Sequence, residues 1–307
     1  MNIIVTGGCG FIGSHIVDKL IENEHNVMVI DNLSTGKMKN FNNKAQFYKL
    51  DYSSKESEEL IINFKPDVVY HHAAQVSVAN SMSEPYFDAE TNIMGTIKLL
   101  EYCYNAGVKK IIYPSSAAVY GNPEFLPINE EHPINPVSFY GISKYTPEQY
   151  IRVFCSQKHI SFSILRYANV YGDRQDANGE GGVVSIFLDK YFKKECPTIY
   201  GDGNQTRDFI YIKDIVTANL LMLHNGENEV YNVSTGNEVS VNGLFSAIRE
   251  HFNWDVYPNY SGLRIGDVAH SYLDNNKIRS LGWEPRYTIA EGINDISLNS
   301  RTFSELF

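Results

Sequence analysis

Three features of the sequence predict a doubly wound α/β fold, a parallel sheet with crossover helices, followed by a smaller α/β domain. Short apolar runs alternate with longer segments of helical period, the rhythm of repeated strand–helix–strand units. A glycine-rich turn joins the first apolar run to the first helical segment. Past residue 170 that rhythm gives way to mixed, turn-rich pieces.

The first unit is the clearest. Asn2 to Thr6 (NIIVT) reads as a buried strand, and Phe11 to Asn23 as a helix with Ile12, Ile16, Leu20 and Ile21 on one face. Asn26 to Asp31 (NVMVID) is the second strand. Further strands are expected at Gln46 to Asp51, Asp67 to His71, Lys109 to Ser115 and Ser161 to Arg166. Helices near Lys55 to Phe64, Glu84 to Ala106 and Tyr140 to His159 connect them. The polar stretch Gly172 to Gly182 (GDRQDANGEGG) opens a second domain, expected over residues 171–307 after a first domain of residues 1–170. Asp208 to His224 and Val230 to Val233, within 208–235, could return to the first domain.

Composition excludes several functions. Lys and Arg number 26 against 36 Asp and Glu, a net charge of −10, whereas a domain that binds nucleic acid through its phosphates normally carries a basic excess. No uninterrupted apolar run exceeds four residues, and the first strand begins at residue 2. A bilayer span needs roughly 20 apolar residues, so neither a membrane segment nor a signal peptide is expected, and the chain reads as cytoplasmic. Cys9, Cys103, Cys155 and Cys196 lie far apart with no CxxC pair, so no disulfide framework and no metal site are expected.

The first chemical motif is Thr6-Gly7-Gly8-Cys9-Gly10-Phe11-Ile12-Gly13, set between strand and helix. Glycines there permit the tight turn, the approach of backbone to a pyrophosphate and close helix–strand packing, while the helix N-terminus faces the anion. Asp31, at the end of the second strand, would accept hydrogen bonds from ribose hydroxyls and repel a 2′-phosphate, which favours NAD over NADP. The second motif is Tyr140-Gly-Ile-Ser-Lys144 on a predicted helix, whose spacing of four puts both side chains on one face. An ammonium beside a phenol stabilises phenolate, which lets tyrosine act as a general base. The third is Ser115-Ser116 at a strand's carboxyl end, where a hydroxyl can bond a substrate hydroxyl beside that base.

Together these residues resemble the extended short-chain dehydrogenase/reductase superfamily, and within it the UDP-glucose (UDP-galactose) 4-epimerase family. The resemblance runs through TGGCGFIGSH, DNLSTG, Asp51, His72-Ala-Ala-Gln75, Asn92, SSAAVYG, YGISK, RYANVYG, GDGNQTRDFIY, RIGD and LGWEPRYTIAEGI, nearly the whole chain. It implies a Rossmann NAD-binding domain, a C-terminal UDP-sugar domain and a homodimer built on the 84–106 and 140–159 helices. The implied catalytic residues are Ser116, Tyr140 and Lys144. For NAD the resemblance implies Gly7, Gly10, Phe11, Ile12 and Gly13 at the pyrophosphate, and Asp31, Asn32, Leu33, Ser34, Thr35, Gly36, Asp51 and Tyr52 at the adenosine half. Ala73, Ala74, Gln75, Asn92, Tyr140, Lys144 and Tyr167 are implied on the nicotinamide side. For the UDP-sugar it implies Ser77, Ser116, Tyr140, Asn169, Val183, Tyr200, Gln205, Arg207, Arg264 and Asp267. Arg207 and Arg264 suit phosphate contacts and Asp267 the uridine ribose.

Residues beside the serine separate the reactions of this superfamily. The 4,6-dehydratases carry an Asp-Glu pair there, and UDP-glucuronate decarboxylases usually a Glu; this chain has Ala117 and Ala118, which cannot transfer protons. Oxidation and reduction at one sugar carbon is what remains. In the epimerases a position four residues after the RxGD aspartate gates the sugar pocket, and here it is Ser271, small enough to admit N-acetyl groups. Another modification of a nucleotide sugar, such as UDP-glucuronate 4-epimerisation, and a non-catalytic NAD-binding regulator remain as alternatives.

Overall fold

The computed structural model describes residues 1–177, 182–262 and 268–300. In chain order the elements of the first half are β1 (Asn2–Thr6), α1 (Phe11–Glu22), β2 (Asn26–Ile30), β3 (Gln46–Tyr48), α2 (Lys55–Phe64) and β4 (Val68–His71). There follow α3 (Val78–Ser83), α4 (Pro85–Ala89), α5 (Gly95–Ala106), β5 (Lys110–Ser116), α6 (Phe139–Lys158) and β6 (Ser161–Tyr167). The second half holds β7 (Asn169–Tyr171), α7 (Val183–Phe192), β8 (Thr198–Tyr200), β9 (Thr206–Arg207), β10 (Phe209–Tyr211) and α8 (Ile212–Leu221). Then come β11 (Glu229–Val233), β12 (Val239–Ser240), α9 (Val241–Phe252), β13 (Asn259–Ser261), β14 (His270–Ser271), α10 (Asn276–Arg279) and α11 (Ile289–Ser300).

The central sheet has seven strands in the order β11-β6-β5-β4-β1-β2-β3, so the expected doubly wound fold is present. The strand order reverses at β1, which pairs in parallel with both β2 and β4, and in such sheets the loops leaving the strands on either side of the reversal diverge at the carboxyl ends, where ligands bind. The apolar runs are buried on both faces: Ile3, Ile4, Val5, Val29, Ile30, Val69 and Ile112 have no solvent exposure. Ile61 of α2, Leu99 and Leu100 of α5 and Ile151 of α6 join Ile4, Ile30, Val69 and Ile111 in one cluster, which explains their helical spacing. Strand β11, which holds Val230–Val233, lies at the sheet edge beside β6.

The helix expected over Glu84 to Ala106 is interrupted. Between α4 and α5, Glu90–Met94 forms a π-helical turn, and its extra residue turns Asn92 inward. Asn92 Oδ1 accepts from the Gln75 N–H at 2.8 Å, while its Nδ2 donates to the Gln75 carbonyl at 2.8 Å and to Ser143 Oγ on α6 at 3.0 Å. Apolar periodicity cannot show such a turn, because what holds it is a side chain bonded to backbone distant in sequence.

Two compact units partition the chain. The first comprises residues 1–121, 134–167 and 216–231, the second residues 122–133, 168–215 and 232–307. The second unit contains short strand pairs, β10 with β7, β13 with β8, and the small sheet β12-β9-β14. Among the described residues no helix is long and apolar enough to cross a membrane.

Candidate active site

The glycine-rich turn fits an anion. Gly7 adopts φ +68°, donates to the Ile30 carbonyl at 2.9 Å, and has no room for a Cβ, which would lie 2.6 Å from the Ala73 nitrogen. Gly13 packs directly on the Gly7 backbone. Gly10 caps α1 without offering a side-chain acceptor, and no acidic residue occupies the first turn. The amides of Phe11, Ile12 and Gly13 thus open a helix whose own first turn carries no carboxylate to compete with a bound pyrophosphate.

Asp31 stands beside this turn, buried, with Oδ2 accepting from the Cys9 N–H at 2.9 Å and Oδ1 from the Leu33 N–H at 2.8 Å. Gly36 faces the same carboxylate, and a Cβ there would lie 2.7 Å from it. Two backbone donors fix the carboxylate while lone pairs remain for ribose hydroxyls. Asn32 Oδ1 accepts from the Ser34 N–H and closes the loop, and Thr35 is exposed on it. Asp51 is exposed and caps its own turn through Ser53. Tyr52 differs from its exposed neighbour: its ring lies in the core 4.8 Å from that of His71, and its hydroxyl donates to the Thr91 carbonyl. Only its backbone remains to face a ligand.

The catalytic candidates come together on β5 and α6. Ser116, half-buried, ends β5, and its Oγ accepts from the Ala118 N–H at 3.2 Å. Ser138 caps α6 by accepting from Gly141 N, and Tyr140 and Lys144 follow one turn apart. The Tyr140 N–H donates to Ser81 Oγ at 3.0 Å, so the start of α6 is tied to α3. Lys144 is 4% exposed, its ammonium 5.0 Å from the centre of the Tyr113 ring. Burial lowers its pKa to about 8, against the raising pull of Asp88 and then Glu148.

Beneath these groups lie residues that the motifs do not include. Glu148, one turn beyond Lys144, accepts from Arg166 Nη2 at 2.6 Å, Arg166 Nε at 3.0 Å and Ser115 Oγ at 2.5 Å. Arg166 Nη1 also donates to the Tyr120 hydroxyl at 2.9 Å. The paired serines of the motif therefore differ: Ser115 is locked to α6, and Ser116 projects from the strand end. A charged residue closing the buried run SFSILR was the sequence signal for this network. Gln75 is spent as well, its Nε2 donating to the Ser77 carbonyl at 3.0 Å and to Asp88 Oδ1 at 2.6 Å. Ser77 caps α3, and Ala73 donates to Thr6 Oγ1 at 3.2 Å; Ala74 lies between them, half-buried. The Tyr167 hydroxyl, buried, bonds Asn219 at 3.0 Å.

In the second unit β14 runs parallel to β9 with Ser271 opposite Arg207. Arg207 is half-buried and donates to the Thr206 carbonyl at 2.7 Å. The adjoining Asp208 is buried and accepts from Thr235 N, Thr235 Oγ1 and Gly236 N at 2.7–3.0 Å, which fixes the junction of β9 and β10. Gln205 donates to the Tyr200 carbonyl at 2.7 Å, while its Oε1 is buried with no hydrogen-bond partner among the described residues, as a group awaiting a ligand would be. Asn169 is exposed on β7, and Val183 is half-buried at the start of α7. Arg264 and Asp267 lie outside the described residues.

Fold and site define a dinucleotide-dependent enzyme of the short-chain dehydrogenase type, with a serine, a tyrosine and a lysine at a strand end and a helix. The profile of the NAD dependent epimerase/dehydratase family matches residues 3–234. A protein of Methanocaldococcus jannaschii, named provisionally as a UDP-glucose 4-epimerase, is 50% identical over 306 residues, covering 98% of this chain and all of that one. The structure of a UDP-glucose 4-epimerase from Thermotoga maritima with UDP-glucose superposes with a TM-score of 0.97 at 46% identity, over 99% of this chain and 100% of that one. A UDP-N-acetylglucosamine 4-epimerase from Methanobrevibacter ruminantium, in complex with UDP-N-acetylmuramic acid, gives 0.90 at 38% identity, over 95% of this chain and 97% of that one. The chain belongs to the NAD dependent epimerase/dehydratase family, and it is an NAD-dependent isomerase of the UDP-glucose 4-epimerase type.

Proposed function

We propose that this enzyme inverts carbon 4 of UDP-glucose and UDP-galactose, and of their N-acetylated counterparts, through a transient 4-keto sugar. The observation that carries the reading is the placement of Ser116 at the end of β5 and of Tyr140 and Lys144 on α6, which packs against β5, with Ala117 and Ala118 where a second acid or base would stand. In this reading residues 1–170, with part of 208–235, bind NAD and residues 171–307 bind the UDP-sugar.

Tyr140, as phenolate beside the Lys144 ammonium, accepts the proton of the sugar 4-hydroxyl, and Ser116 Oγ bridges the two oxygens. NAD, when bound, supplies the redox step at carbon 4. The tyrosine holds the proton while the sugar is a ketone and returns it to the oxygen after the sugar has presented its other face. With alanine at residues 117 and 118 nothing removes a proton from carbon 5, so the ketone is not diverted into elimination. Tyr200, Gln205, Arg207, Asn169 and Val183, with Arg264, Asp267 and Ser77, hold the UDP part while the sugar turns. Gln205 Oε1 is a free acceptor for a uracil or ribose donor, and Arg207 supplies charge for the pyrophosphate. The small Ser271, in register with Arg207, leaves space for an N-acetyl group, and the similar M. ruminantium enzyme is named for an N-acetylated substrate.

The outer face of the first unit supports a homodimer. Phe139, Ile142, Tyr150 and Val153 expose an apolar stripe along α6, with Val153 60% accessible, and Phe87, Met94 and Tyr104 are exposed on the neighbouring helical segment. Burial against a second copy removes both stripes from water, and Val153→Glu should yield a monomer by sedimentation.

Incubation of the purified protein with UDP-galactose, followed by NMR, tests the reaction: UDP-glucose should accumulate to equilibrium, and failure to convert any UDP-hexose with NAD bound would sink the reading. Tyr140→Phe should lose about three orders of magnitude in kcat; a rate near that of the unmodified enzyme would remove Tyr140 from the mechanism.

A further inference from the structure

Helix α4 carries a charge that neither the fold nor the motifs explain. Asp88 is 1% exposed, and its Oδ1 accepts from Gln75 Nε2 at 2.6 Å and from Asn92 Nδ2 at 3.3 Å. Both donors are neutral amides, which solvate a carboxylate without balancing its charge. Its Oδ2 is buried and has no hydrogen-bond partner among the described residues. A carboxylate so placed is costly unless a cation shares its site. The same Asn92 amide that bonds Asp88 also bonds Ser143 Oγ at 3.0 Å, and Ser143 precedes Lys144.

We propose that Asp88 is a positioning residue for the epimerisation: its otherwise unbalanced carboxylate keeps the buried Lys144 ammonium charged and held beside Tyr140. The inference rests on the reading of Tyr140 and Lys144 given above.

The groups around Lys144 single out Asp88. From α6 come Glu148 and Tyr140, from the end of β4 His71 and His72, from β5 Tyr113, and from α4 Asp88. Glu148 is neutralised by the two-pronged contact of Arg166. Both histidines are uncharged at neutral pH, since burial, and next the Lys144 charge, lowers them to about 3. Tyr113 offers the face of its ring, and burial raises its hydroxyl far above neutrality. Among the described residues Asp88 is thus the carboxylate in this shell with no cation of its own, and it is the larger of the two influences that oppose the burial of Lys144. Asn92 and Gln75 become parts of one device, a clamp that keeps the carboxylate facing α6.

The test compares the holoenzyme with Asp88→Asn, Asp88→Glu, Lys144→Met and the Asp88→Asn/Lys144→Met pair. In Asp88→Asn the alkaline limb of kcat against pH should move down by about one unit or more, with KM for UDP-galactose little changed and NAD retained. Asp88→Glu should restore part of the limb. In the Lys144→Met background Asp88→Asn should cost nothing further, because the residue acts through the lysine. An unshifted limb, or an equal loss with and without Lys144, overturns the inference while leaving the epimerase reading intact; no conversion by the unmodified enzyme sinks that reading instead. Titration of the Lys144 Nζ resonance by NMR decides the matter if either the reaction or the Asn variant fails. A lysine that stays protonated above pH 7 in the unmodified protein supports the inference, and one that has lost its proton by pH 6 overturns it.

Discussion

Glu148 and Arg166 meet as a two-pronged ion pair shut away from water, the carboxylate 0% and the guanidinium 4% exposed, with contacts of 2.6 and 3.0 Å. The pair joins the middle of α6 to β6 and, through Ser115, to the strand end that carries Ser116. Removing one partner leaves the other charged and buried. Glu148→Ala should therefore destabilise the fold by about 3–5 kcal/mol, read as the shift in urea-unfolding free energy. The double replacement Glu148→Leu/Arg166→Met should cost clearly less than the sum of the single ones; strict additivity would mean that the two charges do not compensate each other.

Gly7 and Gly107 share a left-handed backbone but not a neighbourhood. An alanine at Gly107, φ +76°, meets nothing within 4 Å, whereas at Gly7, φ +68°, its Cβ would lie 2.6 Å from the Ala73 nitrogen. Each substitution should cost about 1–2 kcal/mol for its backbone conformation, and Gly7→Ala more through the clash. Only Gly7→Ala should purify with reduced NAD content, measured from the cofactor released on denaturation. Full occupancy in that variant would show that the turn tolerates displacement.

His71 and His72 predict the behaviour in acid. Burial holds both uncharged in the folded chain down to about pH 3, whereas the unfolded chain protonates them near 6.5. Because the folded pKa is depressed, this stability is complete above pH 6.5 and is lost as pH falls from 6.5 towards 3, at about 1.4 kcal/mol per unit for each ring. His71 bonds Thr6 and Thr96 through its two nitrogens at 2.9 Å, so His71→Gln will be less stable at pH 7. Its slope between pH 6 and pH 4 should nevertheless be shallower by one proton, and equal slopes would mean that His71 is charged in the folded state.

Ser271 predicts the breadth of the sugar pocket. Ser271→Tyr should lower kcat/KM for UDP-N-acetylglucosamine by about tenfold or more and leave UDP-galactose within about threefold. Equal loss of both activities would count against a gate.

How far the sequence speaks depends on whether a feature is local. The strand–turn–helix of residues 2–22, the buried runs of β2, β4, β5 and β6, the Tyr140–Lys144 spacing and the alanines after Ser116 could all be read from neighbouring residues. Periodicity and turn chemistry act over a few positions, and a linear reading captures them. The network under the site is different. Glu148 and Arg166 are 18 residues apart, Asn92 and Ser143 51, Tyr70 and Asn219 149. Each pair consists of polar residues whose burial cannot be deduced until the sheet has brought them together. The π turn at Asn92 and the core placement of Tyr52 arise in the same way. The sequence by itself determined the doubly wound sheet, the dinucleotide turn and the placing of Ser116, Tyr140 and Lys144 at a strand end and on one helix face. Only the tertiary structure decided which polar side chains lose water, which of the two serines is locked and which carboxylate is buried with an unbonded oxygen, because desolvation belongs to the packed interior and has no local signature.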